Sequence, residues 1–224
     1  MFKNSIMFFS DGVKVDDIRK LINDYDKAIK EKDKNKIYGL QGKIIQIMKK
    51  RINSRYLKVV KECIKLNDDN FGFMIMSINC ILIELYYQLE NGVDETSDFN
   101  GQTRIEDAFR HVLPKLHEDF STETGTQFYE DIRCKLIHQA QTNTNVAISF
   151  GTPDMIYPYD QEEYTVYNPE LFFNQIMALY NTLFNRALHE NNVTLKNNIT
   201  EKVRHIAYKN LKNKSLNSFV EGKV

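Results

Sequence analysis

An arginine and a histidine with four residues between them lie in the stretch FYEDIRCKLIHQAQT, residues 128–142. Arg133 and His138 are residue types that suit phosphodiester cleavage. A guanidinium binds a phosphate and offsets charge that develops on it, and imidazole accepts or donates a proton near neutral pH. RNA carries its own nucleophile, the 2′-hydroxyl, so such a pair needs no metal ion.

The spacing of the pair argues against other chemistry. Metal ligands on one helix stand three or four residues apart, as in HExxH, and a separation of five suits no chelate. Cys134 lies four residues before His138, but these two side chains make no hydrolase triad without a third group. We therefore expect neither a metal ion nor another cofactor.

The stretch around the pair has the periodicity of a two-faced α-helix. Each residue advances by about 100°, so one broad apolar stripe forms and faces the core: Phe128, Tyr129, Ile132, Leu136 and Ala140. Arg133 borders this stripe, and His138 lies about 140° further round. Cys134 and Ile137 form a weaker apolar face between them. That second face suits contact with a neighbour.

A carboxylate stands in the most apolar part of the chain, ILIELYY. A buried Glu84 needs a partner or it becomes protonated. Arg133 is the candidate partner, which Glu84 would orient for a phosphate, although a core tyrosine or another arginine would also satisfy it. Gln139 flanks the motif as a possible lining residue of the cleft, whereas Asp131 and Lys135 are expected at the solvated surface.

Helical periods dominate the rest of the chain. They predict helices at about 17–32, 35–66, 71–90, 103–118, across the motif, from Asn168-Pro169-Glu170 onward, and at about 195–212. Between the motif and Asn168, apolar and polar residues alternate, and a tyrosine-rich segment follows. This pattern predicts a small β-hairpin or irregular ribbon. Its tyrosines either pack that ribbon or stack on bases.

These elements predict an all-α protein with a small β-hairpin insertion and three regions. Residues 1–66 form a helical pair packed on the core, residues 67–191 form the main helical bundle, and residues 192–224 form a polar helix and tail. Residues 71–89 approach the length of a membrane span. Ser77, Asn79, Glu84 and Gln88 interrupt them, which favours a core helix over a membrane helix.

Composition limits the partners and the location. Thirty basic residues balance thirty acidic ones, so no global field favours nucleic acid or a membrane surface, and any basic surface must be local. Three cysteines without a disulfide or zinc spacing indicate reduced thiols in a cytoplasmic protein. The apolar run at the start of the sequence is too short, and too often interrupted by polar residues, for a secretory signal.

The chain resembles the HEPN superfamily over about residues 70–190. The R-x4-H motif is Arg133-Cys-Lys-Leu-Ile-His138, and the elements around it follow the order of HEPN-like proteins. An apolar helix ending in IELYYQLENG precedes an amphipathic helix with FRHVLP, the motif helix, and a closing helix LFFNQIMALYNTLFNRAL. The first 66 residues lie outside this resemblance.

The resemblance implies a four-helix bundle that forms a homodimer, with two R-x4-H motifs in one cleft. It also implies a metal-independent endoribonuclease that acts as a toxin or in anti-phage defence, with an antitoxin or regulatory protein as a possible partner. Arg133 would bind the scissile phosphate of RNA, and His138 would act as general acid/base or activate the 2′-hydroxyl.

One residue departs from the pattern of active HEPN nucleases. Many of these have a polar residue directly after the motif arginine, where this chain has Cys134. Some HEPN proteins have lost catalysis and bind partner proteins or nucleotides. A non-catalytic HEPN-like binding module is therefore the alternative hypothesis.

Overall fold

The structure is a computed structural model that describes residues 7–66, 68–97, 104–159 and 164–217, with side chains described to residue 209. This part of the chain is mainly helical, as the periodicity predicts, and it also contains two small β-sheets. Nine α-helices are described: α1 (Val15–Glu31), α2 (Lys34–Ile52), α3 (Lys58–Lys65), α4 (Gly72–Asn91), α5 (Ile105–Leu116), α6 (Thr122–Phe128), α7 (Lys135–Gln139), α8 (Pro169–His189) and α9 (Val193–Asn217).

Two predicted helices are interrupted by π-helical turns. The helix predicted at 35–66 contains one at Asn53–Leu57, between α2 and α3. The motif helix contains another at Tyr129–Cys134, between α6 and α7, and it ends at Gln139. A π-helical turn closes i→i+5 hydrogen bonds and shifts the face that later residues occupy. Neither turn has a signature in the hydrophobic pattern.

Contacts divide the chain into two compact units. One unit combines Met1–Arg55 with Arg186–Val224, and the other comprises Tyr56–Asn185. The sequence instead suggested boundaries after residues 66 and 191, with the first and last regions separate. The N-terminal and C-terminal helices therefore belong to one unit, an arrangement that periodicity along the chain does not reveal.

In the first unit, α1, α2 and α9 pack together. Their apolar faces bury Ile18, Ile22, Ile44, Ile45 and Met48 completely. Arg204 of α9 donates two hydrogen bonds to the carboxylate of Asp26 on α1, at 2.8 and 2.7 Å. This bidentate pair fixes the orientation of α9 against α1.

A β-hairpin precedes α1 and was absent from the sequence expectations. Strands β1 (Phe8–Ser10) and β2 (Val13–Lys14) pair antiparallel around an Asp11-Gly12 turn, where Gly12 has a φ of 70°. Arg51 and Arg55 donate hydrogen bonds to the carbonyls of the hairpin. Two arginines of the basic run at residues 49–58 therefore bind backbone carbonyls of this hairpin.

In the second unit, α4 contributes eight side chains to the core. Its buried side chains are Ile75, Met76, Asn79, Cys80, Leu82, Ile83, Tyr86 and Leu89. Two hydrogen bonds attach α8 to it, from the Tyr180 hydroxyl to the Leu82 carbonyl at 2.8 Å and from Asn79 Nδ2 to the Pro169 carbonyl at 3.1 Å. Gly92, with a φ of 69°, ends α4 as the Asn91-Gly92 pair predicts.

Helix α4 and the turn before it also have the length and composition of a membrane span, over Asp69–Asn91. Half of this apolar window is buried in the structure. A core helix of a soluble protein meets the same criteria of length and composition as a membrane span.

The tyrosine-rich segment forms the predicted small β-hairpin, and a third strand, which the sequence did not predict, completes the sheet. The strand order is β3 (Val146–Ile148), β5 (Tyr164–Tyr167) and β4 (Ile156–Tyr159), with β3 parallel and β4 antiparallel to β5. One face carries Tyr167, which contacts Phe120 and Phe128 in an aromatic cluster. The parallel pairing joins distant segments, which strand alternation alone does not specify.

Candidate active site

Arg133 and Glu84 form a hydrogen-bonded ion pair between the π-helical turn and α4. The Nε of Arg133 donates to Oε1 of Glu84 at 3.0 Å. The side chains are only 13% and 19% exposed, respectively. This contact confirms the predicted partnership of Glu84 with Arg133. Both residues belong to the second unit.

The guanidinium of Arg133 stays charged in this position. Burial alone would lower the pKa of Arg133, but the charge and hydrogen bond of Glu84 outweigh it, so the pKa is raised. The Cζ atom also lies 5.7 Å from the centre of the Tyr129 ring, within the range of a cation–π contact. Arg133 is therefore a permanent cation with a fixed Nε.

The two Nη groups of Arg133 are available for a ligand. Among the described residues, Glu84 is the only hydrogen-bond partner of Arg133, and it takes the Nε. A guanidinium donates through a planar fork, and its outer edge matches the geometry of a phosphate. The arrangement thus fixes one side of the arginine and leaves the other side able to bind an anion.

Cys80 and Cys134 complete the surroundings of the pair. Burial raises the pKa of the Cys80 thiol strongly, and the nearby Glu84 carboxylate raises it further. Cys80 is therefore a protonated, inert thiol. Cys134 is partly exposed beside Arg133. Sequence reasoning missed Cys80, although its position four residues before Glu84 on one helix predicts a shared face.

His138 lies in the short helix α7 with its side chain exposed. Within the described part of the chain it has no hydrogen-bond partner. Its neighbour Gln139 is also exposed and accepts a hydrogen bond from Gln141 Nε2 at 3.2 Å. Ala140 follows in the left-handed conformation, with a φ of 52°, and ends the helix. The imidazole is thus accessible to a solvent-borne substrate.

The π-helical turn changes the predicted relationship within the motif. The angle of about 140° between Arg133 and His138 assumes a regular α-helix. Arg133 lies inside the π-helical turn, and His138 lies in the α-helix after it. The α-helical angle therefore does not apply across the pair. π-Helical turns are rare and are often found at functional sites.

Asp131 was expected at the solvated surface, but its side chain and carbonyl have a structural role. Its carboxylate accepts a hydrogen bond from Asn143 Nδ2 at 2.6 Å, and its carbonyl accepts one from the Asn143 backbone at 3.1 Å. These bonds hold the loop after α7 against the π-helical turn, just before β3 begins. Lys135, also expected at the surface, is half-buried.

Two exposed isoleucines lie close in sequence to the ion pair. Ile81 of α4 is 41% exposed and Ile137 of α7 is 48% exposed. Ile81 precedes Glu84 by three residues, about one turn of α4, and Ile137 lies in α7, directly after the π-helical turn that holds Arg133. Helices α4 and α7 are in contact. We call Ile81 and Ile137 the α4–α7 face.

A second polar cluster lies near the C-terminal end of α4. Glu90 binds Lys115, contacts His111 Nε2 at 3.1 Å and accepts a hydrogen bond from the Tyr86 hydroxyl at 3.2 Å. Burial would raise the pKa of Glu90, but the hydrogen bond and charge of Lys115 outweigh it, so the pKa is lowered. The cluster satisfies its own members and joins α4 to α5.

The described part of the chain contains no group of three histidine, cysteine, aspartate or glutamate side chains that could hold a metal ion.

No protein-family model, curated protein or solved structure matches this chain.

Proposed function

We propose that this protein is a metal-independent endoribonuclease of the HEPN type that cleaves RNA at a dimeric R-x4-H site. The observation that carries the proposal is the state of Arg133. Its Nε is fixed by Glu84, while its two Nη groups have no partner among the described residues. An arginine held in this way is prepared to bind a phosphodiester through its outer edge.

Arg133 binds the scissile phosphate in this mechanism. Glu84 keeps the guanidinium charged and sets its orientation. As negative charge develops on the phosphate oxygens in the transition state, a preorganised cation lowers the barrier without having to reorient. Low exposure of the pair strengthens this effect because less water screens the charge.

His138 moves the protons. It takes the proton of the RNA 2′-hydroxyl, whose oxygen attacks the adjacent phosphorus and displaces the 5′-oxygen of the next nucleotide. The products are a 2′,3′-cyclic phosphate and a 5′-hydroxyl. A dimer brings two imidazoles to one cleft, so that one accepts the first proton while the other donates a proton to the leaving oxygen. Gln139 and Cys134 line this cleft.

The α4–α7 face provides the dimer contact. Ile81 and Ile137 are exposed and lie close in sequence to the ion pair, and apolar side chains of this size favour burial against a partner surface. A two-fold contact there brings the two copies of Arg133 close to each other. The biological setting that we propose is toxin activity or anti-phage defence in the cytoplasm, controlled by an antitoxin or regulatory protein.

The experiment that tests this function measures cleavage of a single-stranded RNA by wild type, His138→Ala and His189→Ala. His138 is exposed, so its replacement should leave the fold and the dimer intact. His189 is an exposed histidine of the other unit and serves as the matched control. We expect loss of cleavage in His138→Ala alone. Equal cleavage by all three proteins would contradict the proposal.

A non-catalytic HEPN-like module that binds a partner protein or a nucleotide is the second candidate. Low exposure of Arg133 and its inward bond to Glu84 favour it, together with Cys134 in place of a polar residue. Arg133→Lys separates the two functions because it keeps the charge but loses the planar fork. A nuclease would lose most activity, whereas a module held together by the ion pair would retain its partner.

A further inference from the structure

The outward face of the three-stranded sheet forms an apolar groove, independent of the Arg133 site. Strand register places Tyr157 opposite Val166 and Tyr159 opposite Tyr164, while Ala147 pairs with Val166 from the other side. Because side chains alternate along a strand, these residues share one face. With Pro153 they line a groove of about 560 Å³, within the range of about 300–1,000 Å³ for ligand pockets.

Three tyrosines of this groove are free to contact a ligand. Tyr159 is 60% exposed and Tyr164 is 40% exposed, and the two stand directly opposite each other on neighbouring strands. Within the described residues, the hydroxyls of these two side chains and of Tyr157 make no hydrogen bond. The opposite face of the sheet already packs on the aromatic cluster through Tyr167. The groove is therefore not part of the core.

The segment of sequence that forms the groove carries only negative charge. Residues 136–185 contain no lysine or arginine, and their carboxylates are Asp154, Asp160, Glu162, Glu163 and Glu170. Asp154 is exposed and directly follows the lining residue Pro153. Nucleic acid binds through neutralised phosphates, so a segment without a basic residue opposes it. The carboxylates of the segment attract a cation.

The edges of the sheet do not favour an added strand. Edge strand β4 contains Pro158, which lacks the N–H that a pairing strand would need. The other edge, β3, is in contact with α4. A partner therefore binds to the face of the sheet through its side chains and not by backbone pairing.

We infer that the tyrosine groove, lined by Tyr157, Tyr159 and Tyr164, binds a lysine- or arginine-containing peptide segment of a partner protein. The cationic side chain lies over the faces of Tyr159 and Tyr164, where the ring quadrupole attracts it. An apolar neighbour of that side chain fills the part of the groove over Ala147 and Val166. The negative charge of this segment selects against acidic peptides and nucleic acid.

Fluorescence anisotropy tests this inference with three labelled probes: a decapeptide of alternating arginine and valine, its glutamate-for-arginine counterpart, and a ten-nucleotide single-stranded RNA. The full chain is titrated as wild type, Tyr159→Ala/Tyr164→Ala and Tyr38→Ala. Tyr38 is an exposed tyrosine of α2 and serves as the control. Every protein in this experiment also carries His138→Ala, so that the proposed cleavage activity does not consume the RNA probe.

The arginine peptide should bind to wild type and to Tyr38→Ala, with about tenfold weaker binding to the double tyrosine variant. Weak or no binding of the glutamate peptide completes the expected result. Equal affinity of the double variant, equal binding of both peptides, or tyrosine-dependent binding of the RNA would each overturn the inference. Since Tyr159 and Tyr164 are exposed, circular dichroism should show unchanged folding in the variant.

Discussion

Arg133 of the π-helical turn donates a hydrogen bond from Nε to Oε1 of Glu84, at 3.0 Å and across 49 residues of sequence. The contact joins the turn to α4, while the Nη groups of the guanidinium have no hydrogen-bond partner among the described residues. Structural and functional accounts of the motif both depend on this pair. They differ in what the Nη edge binds.

The ion pair should contribute measurable coupling energy. Removing one partner leaves the other charge partly buried, so we expect Glu84→Ala and Arg133→Ala each to lower the free energy of unfolding by about 2–4 kcal/mol. The double variant should lose less than the sum, with a coupling of about 1–3 kcal/mol. Urea denaturation of the four proteins measures the cycle. Simple additivity would mean that the pair does not hold the turn.

Dimerisation through the α4–α7 face should be sensitive to charge. We expect Ile137→Asp to convert a dimer into a monomer, because the change places a carboxylate in an apolar contact. Ile29→Asp is the control, since Ile29 is 46% exposed on α1. Light scattering after size exclusion gives the mass of each protein. A monomeric wild type at micromolar concentration contradicts the proposed dimer.

The contact of α5 with α6 should depend on a glycine. A Cβ at Gly125 would meet the Arg110 Cα at 3.1 Å and the Phe109 carbonyl oxygen at 3.3 Å. Gly125→Ala should therefore lower the free energy of unfolding by about 1–3 kcal/mol. At Gly39, in the interior of α2, nothing lies within 4 Å of the added methyl. Gly39→Ala should instead raise stability by about 0.5–1 kcal/mol.

If both glycine variants shift the denaturation midpoint in the same direction, the close packing of α5 on α6 is not as described. Circular dichroism at increasing urea concentration gives both values. The pair of variants separates steric conflict from helix propensity, because the latter favours alanine at both positions.

The Glu90 cluster should make stability depend on pH. The folded pKa of Glu90 lies below the ordinary value of 4.5, so its contribution is present above pH 4.5 and is lost as pH falls through the folded pKa. Glu90→Gln should be less stable than wild type by about 1–2 kcal/mol at pH 7. The difference should shrink below pH 4.5.

A matched control for this pH series is Glu62→Gln. Glu62 is 58% exposed and pairs with Lys65 on α3. Exposed pairs contribute about 0–1 kcal/mol, so the variant should follow wild type across the series. A constant difference between Glu90→Gln and wild type from pH 7 to pH 3 would contradict the role of ionised Glu90.

Hydrophobic periodicity predicted the helices because each has one face that must be buried. Most helix ends lie within a few residues of the predicted ends for α1, α4, α5, α8 and α9. Local signals fixed some ends, such as Gly92 after α4 and the Asn168 side chain that accepts hydrogen bonds from the first turn of α8. The Asp11-Gly12 hairpin carried an equally clear signal that was not used.

The site was partly predictable for the same reason. A carboxylate in an apolar helix requires a partner, and this requirement predicted the contact of Glu84 with Arg133. The π-helical turn was not predictable, since it leaves no signature in the hydrophobic pattern of its residues. The left-handed Ala140 was also missed because such a conformation normally selects glycine or asparagine.

Tertiary pairing limited the remaining predictions. The parallel pairing of β3 with β5 joins segments that are separated by β4 in sequence. The grouping of α9 with α1 and α2 depends on contacts such as Arg204 with Asp26, 178 residues apart. Such contacts follow from the assembled surfaces and leave no periodic trace in either segment.

The chemical ends of cleaved RNA test the central claim most directly. Purified wild type is incubated with a single-stranded RNA in EDTA, beside a substrate with 2′-deoxy sugars, and the fragments are analysed by mass spectrometry. The account predicts fragments with 2′,3′-cyclic phosphate and 5′-hydroxyl ends from the RNA and none from the deoxy substrate. Folded, dimeric protein that leaves the RNA intact, or that cuts both substrates, would contradict it.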